Sequence, residues 1–128
     1  EWCPYVQVGI RSMDVIEKPF VVQDHIFYAE DIRKGISWMD EAIGKLTKNV
    51  YLTFDLDGLD PSIMPSTGTP EPGGLYWNET IQFLRRVVEQ RNLIGFDVVE
   101  LCPNKQDKSS DFLAAKLIYK ILSYKFLK

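Results

Sequence analysis

Residues Val50–Phe54 (VYLTF) form an apolar run that ends in three aspartates within six residues, Asp55, Asp57 and Asp60. Such a run, bounded by turn residues and rich in β-branched and aromatic side chains, reads as a buried strand of a parallel sheet. Side chains two apart on a strand share a face, so Asp55 and Asp57 should project together where the strand ends. Open parallel sheets bind ligands beyond the carboxyl ends of their strands. Two adjacent carboxylates repel unless a cation or a shared proton offsets the charge. A hard divalent ion with oxygen ligands is the natural compensator. The expectation is a metal site on Asp55 and Asp57.

Three other readings compete. Asp60-Pro61 is also a turn opening, since Asp caps local backbone and Pro presets φ at the next position. An EF-hand fits poorly: a loop starting at Asp55 places Asp60 where glycine is needed and Ser66 where the bidentate glutamate belongs. The words Phe54-Asp55-Leu56-Asp57-Gly58 also echo the nucleophile motif of haloacid-dehalogenase-like phosphohydrolases. That motif continues with Thr or Val, whereas Leu59-Asp60-Pro61 follows here, and no later Asp-Asp pair occurs.

Strand and helix patterns alternate along the rest of the chain. Tyr5–Ile10, His25–Ala29, Val50–Phe54 and Ile94–Val99 read as short strands. One helical stripe carries Ile36, Met39, Ile43 and Leu46, with Ser37 and Asp40 spaced as a capping box. A second starts near Asn78 as N-cap and carries Ile81, Leu84, Val87 and Val88. The last starts near Ser109 and carries Leu113, Leu117, Ile118, Ile121 and Leu122, with Lys116, Lys120 and Lys125 outside the stripe. These units predict an α/β fold on a mainly parallel sheet. A chain of 128 residues, 45% hydrophobic, builds one core. Net charge −3 gives no basic footprint for nucleic acid or anionic membranes, and no apolar stretch approaches the roughly 18 residues of a span. Cys3 and Cys102 make no disulfide framework, so a reducing cytoplasm and two buried free thiols are expected. The single histidine, His25, reads as structural rather than as a ligand.

The string Phe54–Leu75 (FDLDGLDPSIMPSTGTPEPGGL) resembles, in kind and spacing, the second metal-binding motif of the ureohydrolases, the family of arginases and agmatinases. Val6–Ser12 (VQVGIRS) is similar to that family's strand ending in a Gly-Ile-Arg turn. Gly95–Pro103 (GFDVVELCP) is similar to its last strand, with a glutamate just before the end. The resemblance implies a three-layer α/β/α arginase-like fold, of which residues 1–128 would be the C-terminal half of a single domain. It also implies that Asp55 and Asp57 are metal ligands in a site holding two Mn2+. Glu100 would orient the substrate guanidinium, Thr69 would support it, and Asp60 would steady the loop as an outer carboxylate. Gly68, Gly73 and Gly74 would let the backbone turn close to the metals. Family members carry histidine ligands on Gly-Gly-Asp-His and Asp-Ala-His-Xaa-Asp segments, which this chain lacks. The partners so implied are a small guanidino substrate, the N-terminal half of the domain, and further copies of the protein in a homo-oligomer.

The implied activity is hydrolysis of a guanidino group to urea and an amine, with agmatine giving putrescine preferred over arginase, guanidinobutyrase or formimidoylglutamase alternatives. The alternative from another class is a noncatalytic half that acts only with its complement. A planar guanidinium presents paired N–H donors that a carboxylate accepts two at a time, which suits Glu100.

Overall fold

The computed structural model describes residues 3–127. Four strands and four helices alternate: β1 (Gln7–Ile10), β2 (Ile26–Tyr28), α1 (Ala29–Ile32), α2 (Ser37–Gly44), β3 (Asn49–Asp55), α3 (Trp77–Gln90), β4 (Asn92–Val99) and α4 (Ser109–Phe126). Short 3-10 turns fill Lys18–Phe20, Gln23–His25 and Leu56–Gly58. All four expected strands are present, shifted by one or two residues. His25 precedes β2, and its Nδ1 lies 2.8 Å from the Tyr5 carbonyl, so it is a structural residue as expected.

The expected single sheet is instead two parallel pairs, β1 with β2 and β3 with β4. In the second pair, Asn49 to Asp55 run alongside Asn92 to Val99. Nor is β3 covered on both faces. Val50 and Phe54 are buried, whereas Tyr51, Thr53 and Asp55 are exposed. An apolar run cannot by itself say whether the layer over its second face lies within the same stretch of sequence.

The buried side of β3 and β4 meets α2, α3 and α4 in one core. Met39 and Ala42 of α2, Leu84 of α3, and Leu117 and Ile121 of α4 are almost wholly inaccessible, together with Leu56, Leu59 and Met64 just past β3. That core fixes the position of the loop that follows β3.

Several local expectations change. Helix α2 is preceded by Ile36 with no side-chain cap, so Ser37 and Asp40 form no capping box. Helix α3 starts at Trp77 rather than after Asn78, and the Glu79 carboxylate accepts the Tyr76 N–H at 2.7 Å. The α4 stripe is narrower than its sequence suggests. Ile118 and Leu122 are exposed, and Ser110 and Ala114 take part of the buried face. Both cysteines are exposed rather than buried, because Cys3 and Cys102 lie in irregular segments outside the packed elements.

Gly9 adopts φ +83°, where the register of β1 against β2 shifts between Val8 and Ile10. A glycine is the residue that tolerates this left-handed backbone. The kink turns Arg11 toward the end of β3.

Candidate metal and guanidinium site

The site forms where β3 runs out. Asp55 is the last strand residue, and the tight turn Leu56–Gly58 places Asp57 directly after it. Asp55 Oδ1 accepts the Asp57 backbone N–H at 2.8 Å, which locks the spacing of the two carboxylates. Arg11 closes the turn from the other pair of strands. Its guanidinium donates to the Asp57 carbonyl at 2.7 Å and to the Glu71 carbonyl at 2.7 and 3.1 Å. The Ser12 hydroxyl donates to the Glu71 carboxylate at 2.6 Å. The sequence offered the Gly-Ile-Arg turn without a role for its arginine; the structure makes it the clamp joining the two halves of the site.

Asp57 is the most constrained group. Thr69 Oγ1 donates to its Oδ2 at 2.5 Å, while Oδ1 is buried and has no hydrogen-bond partner. Thr69 thus supports the aspartate in this structure. Burial pushes the Asp57 carboxyl upward, but the hydroxyls of Thr67 and Thr69, the Thr69 amide and the Arg11 charge outweigh it. The group therefore titrates below the ordinary carboxylate range. Thr67 Oγ1 is itself buried and has no hydrogen-bond partner. A half-buried carboxylate with one unpaired oxygen has the chemistry of a cation ligand. This observation fits Asp55 and Asp57 to a hard divalent metal. Among the described residues, no group of three His, Cys, Asp or Glu side chains is placed to hold a metal ion.

Asp60 organises the loop. It is only 7% exposed. Its Oδ1 accepts the Ser62 hydroxyl (2.5 Å) and amide (3.0 Å), and its Oδ2 accepts the Gly73 amide (2.8 Å). The Ser62 bonds, aided by the amides of Gly73 and Gly74 and opposed by burial, hold its carboxyl below the usual range. A depressed folded value means that the stability it adds is complete above the unfolded value, about 3.9, and is lost as pH falls through the folded one. Asp60→Asn is expected to lower the urea unfolding midpoint at pH 7 by the equivalent of about 1–3 kcal/mol. It is also expected to flatten the loss of stability below about pH 4. Denaturant titrations at pH 7 and pH 3 check both.

Glu100 follows β4 and stands at φ 66°. A non-glycine residue in that region carries strain that the surrounding structure must hold, a pattern concentrated at ligand sites. A Cβ placed on Gly68 would lie 3.8 Å from Glu100 Oε2. Beside it, the Cys102 amide donates to the Ser66 carbonyl at 2.9 Å. The segment after β4 and the loop carrying Thr67 and Thr69 are therefore tied together, with the Glu100 carboxylate beside Gly68.

Asp97 was not foreseen. Opposite Thr53 in register, it accepts the Thr53 hydroxyl at 2.6 Å and the Tyr51 hydroxyl at 2.9 Å. Its only sequence signal was its place in the strand quoted for Glu100. The hydrogen bond and charge of Asp97 raise the Tyr51 phenol above its ordinary value. Asp97→Ala should therefore lower the ultraviolet titration midpoint of one of the six tyrosines.

The arginase family model matches residues 3–123. The chain belongs to the arginase family. Among its relatives in that family is an N(1)-aminopropylagmatine ureohydrolase of Synechocystis sp., 40% identical over 94% of this chain and 40% of that protein. An agmatinase of Neisseria gonorrhoeae is 37% identical over 88% of this chain and 36% of its own length. The solved structure of proclavaminate amidino hydrolase from Streptomyces clavuligerus superposes with a TM-score of 0.81 at 30% identity, covering 94% of this chain and 42% of that one. The α/β arginase fold read from the motifs is thus borne out. The chain spans well under half the length of these arginase-family relatives.

Proposed function

We propose that these residues form the part of a ureohydrolase that supplies Asp55 and Asp57 to a binuclear manganese centre and Glu100 to the substrate guanidinium, with Thr69 and Asp60 holding that arrangement. The unpaired, buried Oδ1 of Asp57 carries the metal reading. The remaining ligands belong to the rest of the family domain, so activity is expected of the intact protein and not of these residues alone. Metal ions bound there would supply water activated at neutral pH beside an otherwise unreactive guanidinium carbon. The chain's own residues do the positioning. Glu100 accepts paired N–H donors and fixes the guanidinium plane, Thr69 and Arg11 hold Asp57, and Asp60 fixes the loop between them.

The substrate class is a guanidino compound cleaved to urea and an amine. Agmatine, yielding putrescine for polyamine synthesis, remains the preferred case. The relative acting on N(1)-aminopropylagmatine extends that preference to agmatine carrying an aminopropyl group. A homo-oligomer in the cytoplasm completes the reading. Exposed, unpaired Cys3 and Cys102 suit a reducing compartment, and no helix among the described residues is long and apolar enough to cross a membrane.

Comparing kcat/KM of the intact protein for agmatine, N(1)-aminopropylagmatine, arginine, guanidinobutyrate and formimidoylglutamate tests the substrate. A preference for arginine would overturn the agmatine assignment. Glu100→Gln keeps the shape but removes the charge facing the guanidinium. It is expected to lower kcat/KM about a hundredfold, the size of a lost charge-assisted pair of hydrogen bonds, with metal content unchanged.

A further inference from the structure

Helix α4 is apolar on two faces. Ser110, Ala114, Leu117 and Ile121 turn into the core. Phe112, Tyr119 and Phe126 stand 73%, 62% and 72% exposed on the face opposite. Residues seven apart on a helix return to nearly the same side, so the three rings form one stripe about 20 Å long. Ala115 and Leu122 fall between them and are also exposed. A surface helix is normally polar on the side away from its core. Helices form the outer layers over a parallel sheet, so the far side of α4 looks outward from the domain. A continuous row of exposed aromatics there marks an interaction surface. The edges of the stripe say what fits it. Asp111, Ile118 and Lys125 run along one edge, again seven apart, while Lys116 and Ser123 lie on the other. In an antiparallel pair of identical helices centred on Tyr119, the first edge meets itself reversed. Asp111 then lies by Lys125 of the second copy, and Ile118 by Ile118. A parallel pair would set Asp111 by Lys116, but would put Ile118 against Lys116 and Ser123 and leave Lys125 without a carboxylate. Within the chain, Asp111 is bridged to Lys108 at 2.9 Å and Lys125 donates to the Asn92 side chain at 3.2 Å. Exposed pairs of this kind are weak, so the new ones would set orientation more than affinity.

We propose that α4 docks antiparallel on α4 of a second copy, across a two-fold axis at Tyr119 that brings Phe112 onto Phe126. The three rings, with Leu122 and Ile118 beside them, would bury roughly 500 Å2 a copy and about 1,000 Å2 in a pair. That is the size at which a specific interface begins. Affinity comes from the aromatic stripe, and the edge residues choose the direction. The inference gives the homo-oligomer reading a surface and rests on that reading, not on the metal or the reaction.

Disulfide crosslinking of the intact protein, with its other cysteines replaced by serine, tests it. Tyr119→Cys is expected to link to itself across the axis on oxidation, doubling the mass on a non-reducing gel. A disulfide needs Cα atoms about 4.4–6.8 Å apart. Phe112→Cys and Phe126→Cys should therefore stay unlinked alone and link when mixed. Sedimentation of Tyr119→Glu over a concentration series supplies the second readout. Self-association should weaken about a hundredfold, as for a lost central aromatic, with circular dichroism unchanged because the ring lies outside the core. Self-linking of Phe112→Cys would mean parallel packing and overturn the proposal. An oligomer that Tyr119→Glu leaves intact, with no link at position 119, would put the contact elsewhere: the proposal falls and the homo-oligomer stands. A protein that sediments as a monomer at every concentration would overturn both.

Discussion

Asp57→Asn in the intact protein is expected to reduce urea release by about three orders of magnitude while the protein stays folded. The substitution preserves the shape of a side chain whose Oδ2 is held by Thr69 and whose Oδ1 is buried without a partner. It removes the charge that Thr67, Thr69 and Arg11 keep in place at low pKa. Loss of a metal-holding carboxylate forfeits several kcal/mol of transition-state stabilisation, and each 1.36 kcal/mol is a factor of ten. Metal content by mass spectrometry, steady-state kinetics and circular dichroism on one preparation check it. Full metal occupancy with unchanged activity would remove Asp57 from the ligand set.

Gly74→Ala is expected to have the largest effect on stability. A Cβ there would sit 2.5 Å from the Leu59 carbonyl carbon and 2.6 Å from the Asp60 nitrogen, both backbone atoms that no side-chain rotation can move aside. The chain crosses itself closely at this point. The Asp60 amide donates to the Leu75 carbonyl and the Leu75 amide to the Gly58 carbonyl, each at 2.9 Å. Arg33 adds a bond to the Gly74 carbonyl while its guanidinium lies 4.8 Å from the Tyr76 ring centroid. Overpacking at a rigid contact costs about 3 kcal/mol or more. The crossing also carries Asp60 and the loop back to Thr69, so metal affinity should fall together with the unfolding midpoint. Thermal unfolding and metal titration of the variant measure both. A midpoint within a degree of the parent would show that the loop relaxes freely and plays no part in holding the site.

The strands and most of the helices were legible because their apolar residues recur at the periods those elements require, and the site motif because Asp55, Asp57 and the loop to Leu75 are contiguous. Part of what escaped depends on elements distant in sequence. Arg11 acts on Asp57 and Glu71, 46 and 60 residues away. Asp97 is set by register against Thr53. The break between β1 and β3 is invisible to local pattern, which records that a strand forms but not which edge stays open. Cys3 and Cys102 were misplaced because burial statistics for cysteine say nothing about a residue in an irregular segment. Glu100 was singled out by resemblance, and the structure adds its positive φ, a feature no side-chain pattern encodes.

The central claim is that Asp55 and Asp57 belong to a two-metal hydrolase acting on a guanidino group. Titrating manganese into the metal-free intact protein, with urea release from agmatine or N(1)-aminopropylagmatine as the readout, tests it most directly. The expected curve rises from no activity and saturates at about two ions per site. Full urea release in chelator, or no urea from any guanidino substrate at metal saturation, would contradict the account.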